Sequence, residues 1–243
     1  MGTGIESKEI FNTCKISNES VTLMYNCNES RLRQYADLLS SYGGRIRLTG
    51  PIEKEVILDE HIVDCLYAVP FLPNEGKVVD VGTGGGLPGI VWAICRPDLR
   101  VCLVESVKKK CAALVEITAA LRLDNVEVVN QRCEEHAVVR REAYSCATAR
   151  ALSSLDILLE YLAPLLSRGG RVIAFKGIKH DEEVAPIRDK WHLLGLANYE
   201  TYEYSVEGKK RFLLLWEKSR ATPDAFPRRV GLAEKRRWWR CKL

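Results

Sequence analysis

The sequence predicts an α/β fold: a mostly parallel, doubly wound sheet of seven strands with an antiparallel final strand, preceded by a small helical subdomain. Three observations predict it. Val78-Val79-Asp80-Val81 is a short apolar run that breaks into Gly82-Thr83-Gly84-Gly85-Gly86-Leu87-Pro88-Gly89 and resumes as apolar Ile90-Val91-Trp92-Ala93-Ile94. That is the pattern of a strand, a tight turn and a helix start at an α/β ligand site. Strand-like apolar runs then alternate with helical periods, which implies crossover connections and parallel strands. Finally, Tyr199 to Val206 and Arg211 to Trp216 flank Glu207-Gly208-Lys209-Lys210, a hairpin signal that brings the last strand in antiparallel.

Taken in order, residues 1–28 are rich in Ser, Asn and Thr and read as a loosely ordered extension. A helix begins at Ser30, with Leu32, Tyr35, Leu38 and Leu39 at three- and four-residue spacing, and stops at Gly43-Gly44. A second helix covers Ile52 to Phe71, so residues 29–76 form the helical subdomain. The sheet domain, 77–218, continues after the glycine turn with a buried strand, Arg100 to Glu105, and an amphipathic helix over 107–123. Val126 to Val129 and Tyr144 to Ala149 are the third and fourth strands. A helix from Leu152 to Leu166 is closed by Gly169-Gly170 before a fifth strand, Arg171 to Lys176, and another helix spans Glu182 to Leu194.

The chain has 243 residues, 47% hydrophobic and 28% charged, ordinary for a globular protein. No apolar run reaches the roughly 18 residues of a membrane span, which excludes a helical membrane protein. Nine cysteines are scattered without a C-x-x-C pair, and Cys95, Cys102, Cys111 and Cys146 fall inside apolar runs. They read as buried reduced thiols, with no metal site, in a cytoplasmic protein. The net charge of +4 is modest, but Arg228, Arg229, Lys235, Arg236, Arg237, Arg240 and Lys242 crowd residues 219–243 around Trp238 and Trp239. Such a tail can pair phosphates and stack on bases, or be a solvated, frayed terminus. Arg45 and Arg47, between the first two helices, are further candidate phosphate contacts.

The glycine turn admits two cofactors. Gly84-x-Gly86-x-x-Gly89, with Glu105 placed for ribose hydroxyls, fits the dinucleotide fingerprint of an NAD enzyme. Against that, Pro88 lies within the turn and Gly82-x-Gly84-x-x-Leu87 breaks the pattern. An acidic residue closing the strand, followed by Gly-x-Gly, is the form used with S-adenosyl-L-methionine, as is the antiparallel last strand. On either reading the glycines let backbone approach a ligand, the helix start offers free N–H groups, and the Glu105 carboxylate accepts two hydrogen bonds from a vicinal diol.

Asp80-Val-Gly-Thr-Gly-Gly-Gly-Leu-Pro-Gly89, Val104-Glu-Ser-Val-Lys-Lys-Lys110, Ala149-Arg-Ala151 and Phe175-Lys-Gly177 resemble the bacterial small-subunit ribosomal RNA guanine-N7 methyltransferase family (RsmG, also called GidB). Arg45-Ile-Arg-Leu-Thr49 resembles that family's Arg-Ile-Asn-Leu-Thr, with Arg47 where Asn is usual. His61-Ile-Val-Asp64 and Phe226-Pro-Arg-Arg-Val-Gly231 resemble two further family segments, so the likeness spans roughly residues 30 to 240. It implies a Rossmann-like class I methyltransferase fold and S-adenosylmethionine-dependent methylation of guanine N7 in 16S ribosomal RNA. The RNA or the small subunit would be the partner. It implies cofactor contacts at Gly82, Gly84, Leu87, Glu105, Ser106, Cys133, Glu134 and Arg150. Read alone, Cys133 is a core thiol and Glu134 a helix-start carboxylate. Guanine N7 carries a lone pair and no proton at neutral pH, so no proton-transfer residue is named and Arg150 is the candidate for positioning. Lys176, Arg228, Arg229, Lys235, Arg236 and Arg237 join Arg45 and Arg47 as candidate RNA contacts. Two other readings stand beside this one, an NAD-dependent oxidoreductase and a catalytically silent RNA-binding module. Without a heptad or an exposed apolar helix, a monomer is the default.

Overall fold

The computed structural model describes residues 13–15 and 18–240. Residues 1–12 of the expected extension, and Lys242, lie outside the described residues. A short strand, β1 (Thr13–Lys15), precedes α1 (Asn18–Ser41). The helical period therefore starts at Asn18, not Ser30. Val21 and Leu32 are buried, and Met24 and Tyr25 pack on the same core, so the apolar stripe is continuous across the polar stretch. The polar residues sit on the outer faces, where Thr22 Oγ1 and Asn28 Nδ2 donate back to the carbonyls of Asn18 and Met24, both at 2.9 Å.

The second helical run is not one regular helix. It is built from α2 (Lys54–Val56), a π-helical segment Ile57–Ile62 and α3 (Val63–Leu66), with a 3₁₀ turn at Val69–Phe71. Ile57, Leu58, Ile62, Cys65 and Leu66 are buried in it, and Asp64 is buried with them.

The sheet domain runs β2 (Lys77–Val81), α4 (Gly89–Cys95), β3 (Arg100–Glu105), α5 (Lys108–Ala120), β4 (Val126–Asn130) and α6 (Cys133–Val139). It continues with β5 (Tyr144–Ala149), α7 (Leu155–Leu162), β6 (Leu166–Lys176), α8 (His180–Val184), β7 (Leu196–Val206) and β8 (Lys209–Lys218). A single turn, α9 (Leu232–Lys235), lies in the C-terminal stretch. The strand order is β1-β7-β8-β6-β5-β2-β3-β4. β2 to β8 form the seven-stranded sheet, parallel except for β8, which runs antiparallel between β6 and β7. β1 adds an eighth strand at the edge, parallel to β7.

Central strands buried on both faces read as near-continuous apolar runs, and β2 and β3 do: each is exposed at its first residue only. Alternation still sorts them. Val78 and Leu103 join the core under α1, α4 and α5, whereas Val79, Val81, Cys102 and Val104 join the core under α6 and α7. Cys102, Cys111 and Cys146 are buried thiols and Cys95 is half-buried.

Two expected boundaries move for local reasons. β6 starts at Leu166 and passes through both glycines instead of being preceded by them. A Cβ on Gly170 would lie 2.8 Å from the Ser167 carbonyl oxygen and 3.0 Å from that of Tyr144, so glycine serves a close approach there. The helix expected over Glu182 to Leu194 is broken into α8 and 3₁₀ turns at Ala185–Ile187 and Trp191–Leu194, because Pro186 lacks the N–H that would continue it.

The C-terminal stretch is docked, not frayed. Trp238 is buried and its Nε1 donates to the Asp156 carbonyl at 2.7 Å, while Trp239 Nε1 donates to Asp156 Oδ2 at 3.0 Å. Both indoles are thereby spent on α7, which removes Trp238 as a stacking platform for bases.

Candidate active site

The site is assembled at the carboxyl ends of the parallel strands. After β2 the chain crosses the end of β3: Gly82 and Thr83 N–H groups donate to the Val104 carbonyl at 2.8 and 3.3 Å. Gly82, Gly84 and Gly86 hold φ of +63°, +59° and +96°, a region that side chains disfavour. Asp80 is fully buried behind the turn, its Oδ2 accepting from Thr83 Oγ1 at 2.6 Å and from the Gly89 N–H at 2.9 Å. At the start of α4, expected to offer free N–H groups to a ligand, the chain's own carboxylate takes the first N–H and the Gly86 carbonyl the second, at 2.7 Å. Gly89 serves that contact, and neither Gly86 nor Gly89 lines the cavity below. The dinucleotide fingerprint is thus a coincidence of spacing.

Asp80 Oδ1 has no hydrogen-bond partner among the described residues. Burial pushes the carboxyl from 3.8 up to about 6, opposed by the hydrogen bonds from Thr83 and Gly89 and by the charge of Arg150. A carboxyl raised in the folded state contributes stability that is fully present below its unfolded pKa and lost as pH rises through its folded one. Here that window runs from about pH 4 to about pH 6, with a size of about 3 kcal/mol. Asp80→Asn keeps an acceptor for Thr83 and Gly89. The wild-type-minus-variant unfolding free energy is expected to fall by about 3 kcal/mol between about pH 4 and pH 7. Urea titrations at the two pH values measure it, and an unchanged difference contradicts the assignment.

Glu105 closes β3, buried, with Oε2 accepting from the Gly84 N–H at 3.1 Å and Oε1 from the Val107 N–H at 2.9 Å. Each oxygen keeps a lone pair for a ligand hydroxyl. Two cavities meet at this turn, one of about 560 Å³ and one of about 200 Å³, and Gly82 lines both. The larger takes in Gly84, Leu87, Arg150 and Lys176; the smaller takes in Ser106, Cys133 and Glu134.

Arg150, just after β5, donates from Nη1 to Asp64 Oδ2 at 3.1 Å and to the His61 carbonyl at 3.5 Å. Tyr204 Oη donates to the other Asp64 oxygen at 2.7 Å. Three distant parts of the chain thus lock one guanidinium at the cavity wall. Burial, then the charge of Arg150, lowers the His61 pKa, so its imidazole is neutral near pH 7. Lys176 is engaged too, with Glu183 at 2.7 Å and the Ser153 carbonyl at 3.2 Å. Sequence reasoning missed Asp64, Tyr204 and Arg211 as wall residues. The one available signal was the His61-x-x-Asp64 spacing, a single turn of helix. Arg211 lines the larger cavity, its Nε buried and without a hydrogen-bond partner among the described residues.

In the smaller cavity Cys133 is a buried thiol whose Sγ reaches the Tyr161 carbonyl at 3.6 Å, and burial pushes its pKa well up. Glu134 Oε1 accepts the Gly231 N–H at 3.0 Å. These residues fit an adenosyl cofactor on two observations. The Glu105 carboxylate, bonded to the turn through the Gly84 N–H, is acceptor-only, as a vicinal diol requires. The cradle is also bare: a Cβ on Gly82 would lie 2.5 Å from Leu152 Cδ1, and one on Gly84 would lie 3.3 Å from the Leu48 carbonyl oxygen.

The profile of the GidB family, rRNA small subunit methyltransferase G, matches residues 28–212. The chain belongs to this family. The ribosomal RNA small subunit methyltransferase G of Clostridium novyi (strain NT) is 33% identical over 240 residues, covering 96% of this chain and 99% of its own. That of Pseudothermotoga lettingae is 39% identical over 199 residues, 82% of this chain and 86% of its own. Among solved structures, the tRNA (m1A58) methyltransferase TrmI from Aquifex aeolicus superposes with a TM-score of 0.51 at 17% identity, covering 65% of this chain and 69% of that one. It shares the class I methyltransferase fold. Family membership sets aside the oxidoreductase reading.

For this methyltransferase chain, the candidate RNA contacts divide in two. Arg45, Arg47, Arg229, Lys235 and Arg236 are exposed, with Arg45 also donating to the Ser41 carbonyl at 2.8 Å. Arg228, Arg237 and Lys176 instead make intramolecular ion pairs with Glu160, Asp156 and Glu183. The charge count of the tail could not separate the two groups, because it does not register the carboxylates that α7 presents beneath.

Proposed function

We propose that this chain methylates N7 of a guanine in small-subunit (16S) ribosomal RNA, using S-adenosyl-L-methionine. The observation that carries the reading is the Gly82–Gly84 turn shared by two cavities, with the Glu105 carboxylate bonded to it, in a chain of this family. Glu105 would hold the ribose hydroxyls, with Gly82, Gly84 and Leu87 on one side and Ser106, Cys133 and Glu134 on the other. Bound there, the cofactor supplies a methyl group activated by its sulfonium. The chain's own task is to hold and orient. No general base is needed for a ring nitrogen with a free lone pair, and the one carboxylate in the larger cavity, Asp64, is already occupied by Arg150 and Tyr204. Arg150 fixes the geometry from the wall, and Arg211, Arg47 and the exposed Arg229, Lys235 and Arg236 face the RNA. The reading places the protein in the cytoplasm with ribosomal subunits, as a monomer. No helix among the described residues is long and apolar enough to cross a membrane.

Transfer of a labelled methyl group to isolated small subunits tests this. Wild-type protein is expected to label them, and Arg150→Ala to do so about a hundredfold more slowly while retaining its circular dichroism spectrum. Absence of transfer by wild-type protein that binds the cofactor counts against this RNA, and undiminished transfer by the variant counts against the role of Arg150.

A further inference from the structure

The smaller cavity has a wall supplied by the C-terminal stretch. Val230, Gly231 and Glu234 line it, together with Ser106 and Cys133 from the strand ends. Contacts at Gly231 and at the flanking Arg228 and Arg237 hold this wall in place. The Gly231 N–H is bonded to Glu134, Arg228 is clamped to Glu160 through two 2.7 Å hydrogen bonds, and Arg237 donates to Asp156 at 3.0 Å. Val230 is a half-exposed aliphatic side chain at the cavity. The side-chain acceptors around it are mostly spent: Glu134 Oε1 on Gly231, and Gln131 Oε1 on the His136 ring at 2.9 Å. Glu234 is different, a carboxylate at the cavity with no hydrogen-bond or ion-pair partner among the described residues.

A carboxylate accepts hydrogen bonds and cannot donate them. A flat purine bearing an exocyclic amine satisfies it, and a purine with a keto oxygen at that position is repelled. We propose that the tail is part of the cofactor site, with Val230 against the adenine ring and Glu234 accepting from the 6-amino group, so that the chain selects an adenosyl over an inosyl ligand. The inference rests on the reading above that Ser106, Cys133 and Glu134 hold one side of the cofactor, and it takes that side to be the adenine end. It also explains why a basic tail is anchored so firmly: its inner side completes one site, while Arg229, Lys235 and Arg236 stay on the outside.

Calorimetric titration with S-adenosylhomocysteine and S-inosylhomocysteine tests it without any turnover. Wild-type protein is expected to prefer the adenosyl ligand by tenfold or more. Glu234→Ala is expected to weaken adenosyl binding about tenfold and leave inosyl binding unchanged, so that the preference collapses. In Glu234→Gln the amide can accept from an amine or donate to a keto oxygen, and the two ligands are expected to bind within a few-fold of one another. Equal losses for both ligands in Glu234→Ala, or no change for either, overturn the proposal. If wild-type protein binds neither ligand, the cofactor reading itself falls, and that outcome is distinct from an altered preference. Glu234 is exposed, so the variants should keep the wild-type melting temperature.

Discussion

Glu105→Ala is expected to weaken S-adenosylhomocysteine binding by at least a hundredfold and to abolish methyl transfer. The carboxylate would make two charge-assisted hydrogen bonds to the ribose, each of about 1.5–3 kcal/mol, and an alanine side chain offers no acceptor in their place. It also holds the turn from within, accepting the Gly84 N–H at 3.1 Å and the Val107 N–H at 2.9 Å. Glu105→Gln separates the two roles. It retains an acceptor, so the fold and part of the affinity should survive, whereas alanine loses both. Titration calorimetry on the three proteins measures this, and an alanine variant that binds within threefold of wild type contradicts the assignment.

Arg228→Ala has the largest expected effect on stability. Glu160 lies in α7 with 1% of its surface exposed, and Arg228 meets it with Nε on one oxygen and Nη2 on the other, both at 2.7 Å. Removing the guanidinium leaves the carboxylate buried with one weak backbone contact, the Arg228 N–H at 3.4 Å. Breaking one half of a buried ion pair costs about 3–5 kcal/mol, and a chain of this size loses roughly 2–4 °C of melting temperature per kcal/mol. The melting temperature should therefore fall by roughly 6–20 °C. Arg229→Ala, one residue on but exposed, should stay within about 1–2 °C of wild type. Scanning calorimetry of both variants makes the comparison. Equal effects at the two positions would show that the tail is not docked as described.

How much of this was legible beforehand depended on distance along the chain. The strands β2, β3 and β5 could be read because buried parallel strands are mostly apolar runs, and Glu105 because it ends such a run a fixed interval after the glycine turn. The hairpin of β7 and β8 was visible in Glu207-Gly208. The start of α1 is masked in the sequence because polar residues from Asn18 to Ser30 dilute the Val21, Met24, Leu32 period running through them. The clamp of Arg150 by Asp64 and Tyr204 joins residues far apart in sequence, and no local pattern encodes it. In the tail, the charges together with Trp238-Trp239 suggested RNA for Arg228 and Arg237. The same two indoles act as anchors when a buried surface lies beneath them, and the local sequence does not show that surface.

The most direct test of the account is the identity of the methylated atom. Small subunits incubated with the protein and S-adenosylmethionine would be extracted, their RNA reduced with borohydride and cleaved with aniline, and the break mapped by primer extension. That chemistry cleaves at N7-methylguanosine. The account predicts a new stop at one guanine, present with wild-type protein and absent with Glu105→Ala. A methyl group recovered on any other atom, or a stop that persists with Glu105→Ala, would contradict it.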